Sequence, residues 1–85
     1  MIYLNVGAGK SIREKDIIGI FDLENTSLSK DTKDFLNNAS KKGEVVYLTM
    51  DIPKSYIVCD FAGQKKIFIS LLSASTLRKR LFLPL

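Results

Sequence analysis

Histidine and tryptophan are absent from this 85-residue chain, cysteine occurs once and proline twice. Without histidine there is no His general base, no Ser-His-Asp triad and no access to the commonest zinc ligand. A single cysteine, Cys59, excludes an intramolecular disulfide. It sits in the apolar run SYIVCDF, where alternation puts Ile57 and Phe61 on its own face, and it reads as an inert buried thiol. Long hydrophobic runs are also missing. Nothing approaches the ~20 apolar residues of a membrane span. The opening MIYLNVGAGK lacks the cationic start and long apolar stretch of a signal peptide. A soluble cytoplasmic protein without a membrane partner is expected.

What the chain does have is the composition of an ordinary globular domain, 46% hydrophobic and 26% charged. Its length allows one domain, residues 1–85, with 81–85 as an apolar tail and a thin core. Thirteen basic against nine acidic residues give a net charge of +4. The excess lies in the second half, where residues 44–85 carry six basic and three acidic groups. Such a bias permits a polyanionic partner without demanding one.

The residue pattern predicts an α+β domain with a mainly antiparallel sheet in the order ββαβββα. Residues 2–6 (IYLNV) and 16–22 (DIIGIFD) read as strands joined by a polar, cationic connection. Gly19 inside the second implies close approach by another backbone or side chain. Ser29 is a helix N-cap, Thr32, Phe35, Leu36 and Ala39 form one inward stripe, and Gly43 ends a helix over 30–42. Strands follow at 44–50, 55–61 and 65–70, with Pro53 in the first turn and AGQ in the second. A short helix over 75–80, capped by Ser73 or Ser75, precedes the LFLPL tail.

The chemistry is sparse. GAGKS (residues 7–11) imitates a phosphate loop. However, Leu4 stands where the pattern needs its first glycine, and a strand rather than a helix follows, so a strand-ending turn is expected. The nine carboxylates are scattered and form no acid-base couple. Neither an enzyme nor a cofactor or metal site is expected. The basic residues remain: Lys10, Arg13 and Lys15 on one connection, Lys54 beside Pro53, Lys65 and Lys66 pointing to opposite faces of a strand, and Arg78, Lys79 and Arg80 fanned about 100° apart on the last helix. Each group alone reads better as solvated surface, and the last three also complement a helix dipole, so a binding role depends on several groups converging on one face.

The segment order, with NVGAGKSI, DIIGIFD, the PKS turn and LLSASTLRKR, resembles the bacterial extracellular matrix regulator family over about residues 2–80, specifically its RemB (YaaB-type) branch, related to the RemA regulators. The resemblance implies a LytTR-like fold and a cytoplasmic, ring-forming homo-oligomer that activates biofilm matrix genes by binding duplex DNA, with no small-molecule substrate. Where that family carries an Arg before its second strand, this chain has Asp16. Where it carries an Arg pair in a turn, this chain has Ile52 and Pro53, followed by Lys54. The DNA-binding residues expected here are Lys10, Arg13, Lys15, Lys54, Arg78, Lys79 and Arg80, acting mainly on phosphates. The alternative is a protein-interaction subunit of the same regulatory system that does not contact DNA.

Overall fold

The computed structural model describes residues 2–24 and 29–82. In chain order it contains β1 (Tyr3–Gly7), β2 (Lys10–Arg13), a 3-10 turn (Glu14–Asp16), β3 (Ile17–Asp22), α1 (Lys30–Lys41), β4 (Val45–Tyr47), β5 (Ser55–Phe61), β6 (Gln64–Ser70) and α2 (Ala74–Phe82). The α+β class holds, with one strand more than the pattern suggests. β2 forms in the cationic connection because it pairs with β1 and buries Ile12, its single large apolar residue. Of the apolar tail expected at 81–85, residues 83–85 lie outside the described residues. No helix among the described residues is long and apolar enough to cross a membrane.

The main sheet has the order β3-β5-β6-β4, and β1 and β2 form a separate two-stranded hairpin. β5 pairs antiparallel with both β3 and β6, whereas β4 runs parallel to β6. The expectation of a strand over 44–50 is therefore shortened to three residues. Since β6 lies between β4 and β5, the DIPK segment cannot close a hairpin. It passes the end of β6, where the Lys54 N–H donates to the Ser70 carbonyl at 2.9 Å.

Both faces of this sheet are covered, which is why β5 reads as a continuous apolar run instead of an alternating one. Tyr56, Val58, Ile67 and Ile69 pack beneath α1 with Ala39, Phe35 and Leu36. Ile57, Cys59 and Phe68 face the other way, against Leu4, Val6 and Ile12 of the hairpin and Ala74 and Leu77 of α2. The expected helix caps are in place. The Ser29 hydroxyl accepts from the Thr32 N–H at 3.2 Å, and Ser73, not Ser75, does the same for Thr76 at 3.1 Å. Two buried serines close the sheet's end: Ser70 donates to the Val6 carbonyl at 2.6 Å and Ser55 to the Leu72 carbonyl at 2.7 Å.

The GAGKS stretch is a strand-ending turn as read. Ala8 and Gly9 both have positive φ, 52° and 73°, the mark of a two-residue hairpin turn matched to strand twist. Ala62 and Gly63 repeat the device between β5 and β6, at 55° and 92°. Gly19 earns its place differently. A Cβ there would stand 2.7 Å from Cε2 of Phe21, whose ring lies over the glycine and stacks on Tyr56 at 5.0 Å between centroids.

Two outcomes follow from this packing. Gly19→Ala should cost no more than about 1 kcal/mol, the scale of one aromatic stack. In a Phe21→Ala background it should become neutral or stabilising, because the clash is gone and the unfolded chain loses freedom. Denaturant melts of the four proteins check this. Cys59 is fully buried, and desolvation, with the nearby Asp16 charge adding to it, pushes its thiol up from 9.0 to about 12. The folded state thus holds a proton that the unfolded chain gives up near pH 9. Stability should fall between pH 9 and 12, and Cys59→Ala should flatten that fall. Native-state labelling by a thiol reagent should be no faster than unfolding.

Candidate nucleic-acid interface

The basic residues divide into those that hold the fold and those that face solvent. Arg13 ends β2, and its Nε–H donates to Asp16 Oδ2 at 2.8 Å, the only ion pair among the described residues. Asp16 is buried. The 3-10 turn sets it beside β5, three residues from its partner. Removing one member of such a pair leaves the other without its compensation. Asp16 therefore fixes Arg13 as part of the β2–β3 corner, while Lys15, between them on the same turn, remains exposed.

Helix α2 sorts its three cations in the same way. It packs along β1 and β3, so its successive side chains meet different surroundings. The Arg78 guanidinium donates to the Ile20 carbonyl at 2.6 Å, taking an acceptor on β3, an edge strand of the main sheet. Arg80 reaches back to the Asn5 carbonyl at 3.3 Å. Lys79, between them, is exposed with no such bond. The fan of about 100° per residue thus brings two arginines to backbone acceptors on separate strands and gives the lysine none, although all three residues are exposed. Arg78 and Glu14 line one shallow cleft with Ile17, Ile18, Ile20 and Leu81, and Glu14 and Lys15 line the next. Arg13, Lys15 and Arg78 consequently gather around the 3-10 turn and the start of β3.

Lys10 and Lys54 are not part of that group. Lys10 lies at the turn end of the hairpin, with Nζ 5.5 Å from the Phe68 ring centroid. Lys54 is exposed at the start of β5, anchored only through its backbone, which also accepts from the Leu23 N–H at 2.9 Å. As their positions in β6 require, Lys65 and Lys66 separate: Lys65 lies over Phe35 of α1 at 5.1 Å, and Lys66 lies on the hairpin face beside Phe68. The Asp16 partner of Arg13 and the shared face of Lys10 and Lys66 are absent from the sequence reading. The first was legible in the i, i+3 spacing. The second needs the hairpin to be folded onto β6.

Ile18, Tyr47, Met50 and Ile52 form a further feature missed by the charge-based reading. Ile18 is the extra residue of a bulge in edge strand β3 and is 65% exposed. Tyr47, Met50 and Ile52 cluster at and beyond β4, the opposite edge, with Ile52 88% exposed. Among the described residues no group of His, Cys, Asp and Glu could hold a metal ion.

The division of the cations predicts unequal effects on stability. Arg78→Ala should cost about 1–2 kcal/mol, below the full worth of a charged hydrogen bond because the site is partly solvated. Lys79→Ala should stay within about 0.5 kcal/mol of the parent. Urea titrations compare the two, and equal losses would return both residues to a general helix-dipole role.

Two comparisons place this architecture among known proteins. The family model for RemA-like proteins, described as extracellular matrix regulatory protein A-like, matches residues 3–81. The chain is also 34% identical over 79 residues to Extracellular matrix regulatory protein B of Bacillus subtilis (strain 168), covering 93% of this chain and 89% of that protein. An α+β domain that matches the family model across both sheets and both helices, and resembles its B-type member over nearly the whole of each chain, belongs to the RemA-like family of extracellular matrix regulatory proteins.

Proposed function

We propose that this protein is a cytoplasmic, oligomeric transcriptional regulator of extracellular matrix and biofilm genes, binding duplex DNA mainly through phosphate contacts. The observation that carries the reading is the family match across residues 3–81. The distribution of charge supports it. Lys15, Lys54 and Lys79 are exposed and make no ion pair among the described residues. Arg13 and Arg78 keep unused guanidinium donors beside Lys15, around the 3-10 turn. Lysines of this kind neutralise phosphates without reading bases. α2 is committed to β1 and β3 and is not free to enter a groove as a recognition helix.

A +4 chain holds DNA weakly alone, and repetition of the subunit supplies the missing affinity through avidity. The two open edges of the main sheet favour such repetition. Ile18 and Phe21 are exposed on the β3 side, and Tyr47, Met50 and Ile52 on the β4 side. Different patches on opposite edges suit a head-to-tail contact, which propagates into a ring or a filament. The same apolar edges favour the second reading, an interaction subunit that assembles without touching DNA.

Duplex binding measured across a salt series separates the two. Lys15→Ala, Lys54→Ala and Lys79→Ala should each weaken binding, and each lost contact should reduce the slope of log affinity against log salt by about 0.9. Unchanged affinity and slope in all three would leave the interaction subunit as the better reading. Light scattering should give a particle several times the 9.5 kDa chain. Ile52→Asp should lower that mass while leaving the thermal melt of the subunit intact.

A further inference from the structure

One side-chain cluster takes no part in the fold's polar contacts, and of its members only Lys10 was among the cations expected to meet phosphate. On the hairpin face, Val46 of β4, Phe61 of β5 and Phe68 of β6 form the floor of an open cleft of about 390 Å³, with Lys10 and Lys66 beside it. The floor is apolar. Phe68 is buried, and Phe61 meets it edge-on at 6.3 Å and 85°. Below it, Cys59 belongs to the same buried cluster, and its thiol stays protonated. No side-chain hydroxyl, amide or carboxylate lines the cleft.

The polar content is thus two ammonium groups. Lys10 Nζ stands 5.5 Å from the Phe68 centroid, within cation–π range of the ring, and the residue is exposed, so its N–H donors remain accessible to a ligand. Lys66 shares a strand face with Phe68. The parallel register sets Glu44 next to Lys66, yet no carboxylate comes within ion-pair distance of either lysine among the described residues. Two cations over an aromatic floor, without a counter-charge of their own, are complementary to one kind of occupant.

We propose that this cleft binds a small organic anion with an apolar aryl or acyl body, its carboxylate or phosphate held by Lys10 and Lys66 and its body laid on Phe61, Phe68 and Val46. A volume of this order suits a body of one or two rings. The absence of side-chain donors and acceptors on the floor selects against polar bodies such as nucleobases, whose edges would lose water without replacement. A DNA phosphodiester gains from the lysines but not from the floor, so this site is distinct from the phosphate surface at the 3-10 turn. The hairpin turn Ala8-Gly9 precedes Lys10 directly, so an occupant would also pin the tip of the hairpin to β6.

The test uses 2-naphthoate as probe and amide shifts of the isotope-labelled full chain as readout. Saturable shifts confined to Lys10, Val46, Phe61, Lys66, Phe68 and their neighbours are expected. Lys10→Met and Lys66→Met keep the apolar stems, and each should raise the dissociation constant by about five-fold, the scale of one partly exposed charge pair. Lys15→Met should leave it unchanged. Inorganic phosphate and uncharged 2-methylnaphthalene should each bind more weakly than naphthoate. Shifts centred on Ile18 and Phe21, equal affinity for the uncharged ring, or full affinity in both lysine variants would overturn the assignment. DNA binding plays no part in this readout, so the proposal stands or falls separately from the regulatory one.

Discussion

Burial of β5 and β6 on both faces is the constraint from which the rest of the molecule follows. Two adjacent strands carry Tyr56, Ile57, Val58 and Cys59 against Ile67, Phe68 and Ile69, all buried. A sheet with two apolar faces requires two covering layers, and an 85-residue chain has little to make them from. α1 provides one. The other is assembled from pieces distant in sequence, the β1–β2 hairpin and α2, because neither alone is wide enough. Ser70 and Ser55 at the end of the central pair then bond to the backbone at Val6 and Leu72, and so set where each piece lies.

That assembly explains which cations are left for binding. α2 completes the second layer only if it is attached to the strands beside it, and Arg78 and Arg80 make those attachments through the carbonyls of Ile20 and Asn5. The run RKR therefore combines two roles at one-residue intervals. Charge density along the sequence overstates the charge free of partners: Lys15 and Lys79 make no side-chain hydrogen bond or ion pair among the described residues, whereas Arg78 and Arg80, though exposed, are tied to backbone. Arg13 reinforces the point, since its Asp16 partner is among the few buried polar residues of the chain.

Much of this fold was legible in the sequence where the signal is local. The α1 stripe Thr32, Phe35, Leu36, Ala39, its Ser29 cap and the Gly43 terminus are consequences of helical spacing and hydrogen-bond accounting. The close approach at Gly19 follows from a glycine inside a strand, and the burial of Cys59 from its place in an apolar strand run. What was not legible depends on tertiary docking. KSIR becomes β2 only because the turn at Ala8-Gly9 folds it onto β1. EVVYLTM yields three strand residues because β6 intervenes between β4 and β5. The candidate cations Lys10, Arg13, Lys15, Lys54, Arg78, Lys79 and Arg80 divide into a 3-10 group and outliers, a division that depends on where α2 packs on β1 and β3.

The second covering layer also has a consequence for synthesis. Its contacts join the two ends of the chain: Ser70 to Val6 across 64 positions, Arg78 to Ile20 across 58 and Arg80 to Asn5 across 75. A ribosome delivers the hairpin before α2. Until α2 leaves the exit tunnel, Leu4, Val6 and Ile12 have no complete surface to rest on, and the loops that must close are 58 to 75 positions long. The β1–β2 hairpin is thus made well before it can be secured, and its apolar face stays uncovered for as long as α2 is still being synthesised.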